Sequence, residues 1–175
     1  YVYQAKKAAG DLARLMGDAD RAEALIVEAD SLRKRFERAF WCEEIGTYAL
    51  ALDGDGHPCR VRSSNAGHCL LAGIAGPDRG LRTARTLLAE DSFSGWGIRT
   101  IPTSETRYNP MSYHNGSVWP HDNALIAAGM AHYGYKQGTM KILTGLFDAS
   151  LFLELRRLPE LFCGFPRRPG ESPTR

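Results

Sequence analysis

The chain has 175 residues, 43% of them hydrophobic, and a formal net charge of +2. That length suits one ordinary domain or part of a larger one, and that composition supplies a core, which excludes global disorder. The balance of 22 Lys and Arg against 20 Asp and Glu gives no basic face for nucleic acid, and no apolar run approaches the roughly 20 residues a membrane helix needs.

Residues 4–16 open the chain as a helix, with Ala5, Ala8, Ala9, Leu12, Leu15 and Met16 on one face and Gly17 and Asp18 as its stop. A second helix over 20–40 carries Ala22, Leu25, Ile26, Ala29, Leu32, Phe36, Ala39 and Phe40, with Asp18 or Asp20 as its N-cap. The period then changes. Residues 47–52 and 59–62 alternate around Asp53-Gly54-Asp55-Gly56, which predicts one β-hairpin inserted between helices. The third helix covers 66–75, stopped by Gly76. The fourth starts at Pro77, a favoured first-turn residue, and carries Leu81, Ala84, Leu87 and Leu88. Residues 91–120 lack periodicity. A loop so long is uncommon unless it is functional or disordered, and its aromatics Phe93, Trp96, Tyr108, Tyr113 and Trp119 argue against disorder. Helices over 122–133 and 137–155 follow, then a tail rich in Pro, Gly and Arg. Paired helices with long loops between pairs predict a helical ring or solenoid, and no fixed-length repeat is present.

Charge and cysteine patterns add little chemistry. Arg33, Arg35, Arg38, Arg79, Arg82 and Arg85 are interleaved with acids and read as solvated helix faces. Cys42, Cys59, Cys69 and Cys163 form no CxxC pair, so neither zinc nor a redox motif is suggested. Isolated cysteines in a core-rich chain point to a reduced, cytoplasmic setting, with one disulfide among the four left open. Tyr1 is not a start residue, so secretion is not judged from this N-terminus. The Asp53-Gly54-Asp55-Gly56 run begins like a calcium loop, but Ser64 stands where the bidentate Glu belongs, which excludes an EF-hand. His114 and His121 have no third ligand at helical spacing, so no metal is expected. No cofactor is expected either.

The chemistry concentrates in Tyr108-Asn109-Pro110-Met111-Ser112-Tyr113-His114-Asn115-Gly116-Ser117-Val118-Trp119-Pro120-His121-Asp122-Asn123. Sugars need such a mixture: aromatic faces stack on pyranose C–H faces, while amides, His and Asp take hydroxyls. The bland alternative is a packed loop with Tyr113 and Trp119 in the core.

Residues 113–120, YHNGSVWP, closely resemble the signature of the amylo-α-1,6-glucosidase family, the C-terminal glucosidase group of glycogen-debranching enzymes, related to glucoamylase and trehalase. Four further segments agree in order: YVYQA (1–5), SNAGH (64–68), SGWGIRT (94–100) and LPELFCGF (158–165). The resemblance implies an all-α (α/α)6 barrel, of which these six helices would be half: residues 1–175 would form the C-terminal part of one catalytic domain. It implies hydrolysis of α-glucosidic linkages, α-1,6 branch points of glycogen-like glucans above all, by an inverting pair of carboxylic acids. Glu160, within LPELF, is the expected general base. The family's general-acid Asp lies upstream of YVYQA, and no Asp here matches its motif. Trp96, Arg99, Tyr108, Tyr113, His114, Asn115, Trp119 and Asp122 are the expected substrate-binding residues, converging with Glu160 on one concave surface; capping of the fifth helix is the other role for Asp122. The expected partner is a carbohydrate, with no nucleic acid and no membrane. Two rivals are a non-catalytic carbohydrate-binding module and a polysaccharide lyase that uses Tyr113, His114 and Asn115 for proton abstraction on a similar barrel.

Overall fold

Asp18 caps the second helix as its residue type suggests. Its carboxylate accepts the N–H of Arg21 at 3.1 Å, where α1 (Val2–Leu15) turns into α2 (Ala19–Ala39). A computed structural model describes residues 1–174 and is predominantly helical, as the sequence predicts. α4 (Pro77–Leu87) and α5 (Pro120–His132) each start on a proline, whose missing N–H costs a first turn nothing. α6 (Lys136–Leu151) pairs with α5, and α3 (His68–Leu71) is a single turn continuing the 3-10 segment Ser64–Gly67.

Three boundaries differ from expectation. The third helix stops at Leu71, because Gly73 adopts φ +66° and turns the chain before Gly76 is reached. α6 ends at Leu151, not residue 155. Beyond it Leu155 and Arg156 both take positive φ, at 51° and 58°, and nothing in their side chains announces this. The inserted hairpin is two ladders. β1 (Trp41–Cys42) pairs with β2 (Thr47–Tyr48), and β3 (Ala51–Leu52) pairs with β4 (Pro58–Cys59), both antiparallel. Tyr48 explains the split: its ring packs on Phe36 and edge-on against Trp41, burying it almost completely, which draws residues 47–48 backward. Arg62 leaves the second ladder for Asp91, Ser104 and Glu105.

The main core joins Leu70, Ile126, Met130 and Ile142 from the helices with Ile98, Val118 and Phe162 from non-helical segments. The long loop is therefore ordered by burial. A second cluster, Tyr3, Ala29, Ala72 and Ile74, seats the α1–α2 hairpin. The buried face of α1 is Tyr3, Gly10 and Ala13, while the predicted stripe members Leu12, Leu15 and Met16 are exposed. The reason is close helix approach: a Cβ on Gly10 would lie 3.2–3.4 Å from Ile26 and the Ala22 carbonyl. α6 behaves alike, burying Gly138, Ile142, Gly145, Leu146 and Ala149 and exposing Met140, Leu143, Phe147 and Leu151.

Glu37 ties α2 to the rest. Its carboxylate accepts the Tyr48 hydroxyl at 2.7 Å and the Gly76 N–H at 2.6 Å, and it pairs with Arg79 of α4. Cys42, Cys59, Cys69 and Cys163 are all free thiols. Among the described residues no helix is long and apolar enough to cross a membrane.

Candidate active site

Four of the segments that stood out in the sequence are laced together by backbone hydrogen bonds. The Ser64 N–H donates to the Thr100 carbonyl at 2.9 Å, and the Thr100 N–H donates to the Ser117 carbonyl at 2.8 Å. Val118 and Phe162 exchange both bonds, at 2.9 and 2.8 Å. Val118 thus bridges residues 94–100 on one side and 158–165 on the other. A β-branched residue with no exposure suits this position between two extended neighbours. Gly116 and Gly164 allow the approach. A Cβ on Gly164 would stand 1.8 Å from the Gly116 carbonyl oxygen, and Gly116 itself has φ +144°.

This lacing delivers Glu160 to the aromatic loop. The Tyr113 hydroxyl donates to Glu160 Oε1 at 2.7 Å, across 47 residues of sequence. That bond raises the Tyr113 pKa and keeps the phenol a donor. Tyr113 stands edge-on to both His114 (4.7 Å between centroids) and Trp119 (4.8 Å), and the His114 and Trp119 planes are 6° apart. The Trp119 indole N–H is held by Ser117 Oγ at 2.9 Å and the Tyr113 carbonyl at 3.2 Å, which fixes the ring. The result is a half-exposed group of three rings beside an exposed carboxylate.

Not every expected site residue joins it. Trp96 is 3% exposed, packed edge-on against Phe152 with Arg167 over its ring, so it is a core residue. Arg99 is also 3% exposed, donating to the Gly164 carbonyl at 2.7 Å and the Asp91 carbonyl at 3.3 Å. Burial pulls its pKa down, with Tyr108 and Asp91 opposing. Both therefore support the site from behind, because the main core claims the 94–100 segment. Tyr108 does the same through its hydroxyl on the Gly164 carbonyl, at 2.9 Å. Asn115 contributes backbone: its carbonyl accepts the Asn109 N–H at 2.7 Å. Asp122 makes no helix cap, since α5 has no side-chain cap bond. It accepts from His68 at 2.6 Å instead. His68 was not singled out from the sequence, although it closes the SNAGH segment, and its residue type was the available signal.

Other features carry less. An open groove of about 1330 Å³ lined by Arg62, Asp91, Lys141 and Arg167 contains none of Tyr113, Trp119 or Glu160. Its arginines are engaged, Arg62 by Asp91 and Arg167 by Asp148, so the aromatic group has the stronger claim to be the site. Asp53, Asp55 and His57 bring ligand-type atoms within 4.8 Å of one another, all exposed. Asp53 Oδ1 there accepts the N–H groups of Asp55 and His57, the ordinary chemistry of a tight turn.

Residues 1–154 match the family model described as the mannosylglycerate hydrolase MGH1-like glycoside hydrolase domain. The chain belongs to this family. The MGH1-like match ends before Glu160. Among solved structures, a mannosylglycerate hydrolase from Thermus thermophilus, of family GH63 and in complex with glucose, is 23% identical. It has a TM-score of 0.74 and covers 97% of this chain and 42% of its own. Neutral trehalase from Saccharomyces cerevisiae is 14% identical, with a TM-score of 0.78 over 95% of this chain and 33% of its own. A protein titled sialidase is 16% identical, with a TM-score of 0.81 over 94% of this chain and 16% of its own. These likenesses establish the (α/α)6 glycosidase fold, and the MGH1-like chain spans well under half the length of each of the three. No curated protein matches it.

Proposed function

We propose that this MGH1-like chain supplies the base-side part of an α-glycosidase active site. Glu160 activates the attacking water. An acid contributed from outside residues 1–175 protonates the leaving oxygen, at the roughly 6.5–9.5 Å separation of an inverting pair. The observation that carries this reading is the 2.7 Å bond from Tyr113 to Glu160. It sets a carboxylate on Tyr113, whose ring stands 4.8 Å from Trp119, a ring suited to stacking on a pyranose, and it leaves the second carboxylate oxygen for water. The exposure of Glu160 fits a site completed by further chain.

The substrate proposed is the α-1,6-linked glucose of a branched glucan, on the strength of the YHNGSVWP segment. The family model and the Thermus thermophilus structure favour a second substrate, mannosylglycerate. Both readings share Glu160 and its chemistry. Glucose release from a branched dextrin and mannose release from mannosylglycerate, measured on the catalytic domain containing this segment, separate them. In the same assays Glu160→Gln lowers kcat by about 10²–10⁴-fold with little change in KM. A kcat near that of the parent enzyme would remove Glu160 from the mechanism.

A further inference from the structure

A second polar group, separate from Glu160, gathers at the start of α5, whose N-cap is Trp119. Asp122 lies three residues after Trp119, in the first turn of that helix. Its Oδ1 meets His68 Nε2 at 2.6 Å, and His68 Nδ1 meets the Tyr1 hydroxyl at 2.6 Å. Three residues separated by 67 and 54 positions thus form one hydrogen-bonded row. Each comes from a different sequence segment: YVYQA, SNAGH and the residues following YHNGSVWP.

The proton positions follow from the donor inventory. An ionised Asp only accepts, so the His68 Nε2 carries the hydrogen, and in the neutral ring Nδ1 accepts from Tyr1. Asp122 holds the His68 tautomer, and His68 in turn aims the Tyr1 phenol. Two acceptor positions are left over. Asp122 Oδ2 has no hydrogen-bond partner among the described residues, and it is not among the buried unpartnered atoms, so it reaches solvent. The Tyr1 oxygen keeps its lone pairs on a residue that is 67% exposed. A carboxylate oxygen and a phenol oxygen near the helix start that Trp119 caps are acceptors waiting for donors. Sugar hydroxyls supply donors, and a carboxylate on the ligand would be repelled.

We propose that Asp122, His68 and Tyr1 form a hydroxyl-binding subsite beside Trp119 that selects a neutral sugar over an acidic aglycone at this edge. Asp122 contacts the ligand, and His68 is a positioning residue. The proposal rests on the glycosidase reading of the Trp119 and Glu160 site, and it favours the glucan branch over a glycerate carboxylate as the group bound here.

The test is binding of methyl α-glucopyranoside and of D-glycerate, followed by tryptophan fluorescence, with thermal unfolding of every variant as a fold control. The parent protein binds the glucoside in preference to glycerate. Asp122→Asn weakens the glucoside about tenfold or more, as expected for loss of a hydrogen bond to a charged acceptor. His68→Phe, which keeps a ring and removes both bonds, follows it, and Tyr1→Phe has a smaller effect. Gly54→Ala, whose added Cβ meets nothing within 4 Å, leaves the affinity unchanged. A purely structural role for the row would lower the unfolding temperature of the His68 and Asp122 variants while leaving glucoside affinity intact, and that result overturns the subsite. Glycerate preferred over the glucoside overturns it too. A parent protein that binds no glycoside while folding normally sinks the glycosidase reading itself, whereas a binding parent with insensitive variants sinks the subsite alone.

Discussion

Gly164→Ala tests the contact that brings Glu160 to the aromatic loop. The added Cβ would meet the Gly116 carbonyl oxygen at 1.8 Å and the Gly116 carbonyl carbon at 2.8 Å. Backbone atoms cannot rotate aside, and real Cβ contacts essentially never fall below 3.0 Å, so the two segments must part by more than an ångström. Three hydrogen bonds converge on Gly164 and are exposed to that movement. Its N–H donates to the Pro110 carbonyl at 2.7 Å, and its carbonyl accepts from Arg99 Nε at 2.7 Å and the Tyr108 hydroxyl at 2.9 Å. Arg99 is buried and charged, so its bond is the costliest to lose. Together these put the loss at about 3–5 kcal/mol, a large part of the 5–15 kcal/mol typical of a domain. For a chain of this size that lowers Tm by roughly 6–20 °C. Circular dichroism melts of the variant beside Gly54→Ala provide the measurement. A Cβ on Gly54 meets nothing within 4 Å, and its φ lies outside the left-handed range, so that control melts within about 2 °C of the parent. If Gly164→Ala also melts within about 2 °C, the Gly116–Gly164 approach does not hold the site together.

Two further outcomes follow from buried polar groups. Ser63 Oγ is buried without a hydrogen-bond partner among the described residues, so Ser63→Ala raises stability by about 1 kcal/mol in urea unfolding; a loss of that size would mean the hydroxyl has a partner. Partial burial acts to raise the Glu37 pKa, but hydrogen bonds from Arg79, Tyr48 and Gly76 outweigh it and hold the group below its ordinary 4.5. A depressed folded pKa gives stability that is fully present above the unfolded value and lost as pH falls through the folded one. Glu37→Gln therefore lowers Tm at pH 7 and flattens the fall below about pH 4.5. The fall does not vanish, because Asp91 is also depressed: burial opposes this, and Ser104 and Arg62 overcome it. Melts from pH 3 to 7 check both, and an unchanged slope in the variant would show that Glu37 contributes nothing to acid unfolding.

Local signals located the helices because each is written into a few adjacent residues. Asp18 caps α2, Pro77 opens α4, and the glycine-bounded hydrophobic periods give the element type. The signature segments placed Glu160 and Tyr113 in one neighbourhood by resemblance, with no periodicity to do so. The sequence did not decide which face of a helix meets a neighbour. On α1 and α6 several large apolar residues face outward, and glycines and alanines share the contact with Tyr3, Ile142 and Leu146, because helix packing rewards close approach as well as hydrophobicity.

The sequence by itself determined the helical class, the order of the elements and the segment in which sugar-type side chains gather, since these depend on residues close along the chain. The tertiary structure alone decided that Trp96 and Arg99 turn inward and that the Tyr113 hydroxyl is a group that meets Glu160. It alone joined Asp122 to His68 and Tyr1. Those pairings span 47 to 67 residues, and no local pattern encodes which distant groups meet once the core has chosen its packing. At the site that choice rests on small things: two glycines in contact and a valine that exchanges hydrogen bonds with Phe162 on one side and lies opposite Arg99 on the other.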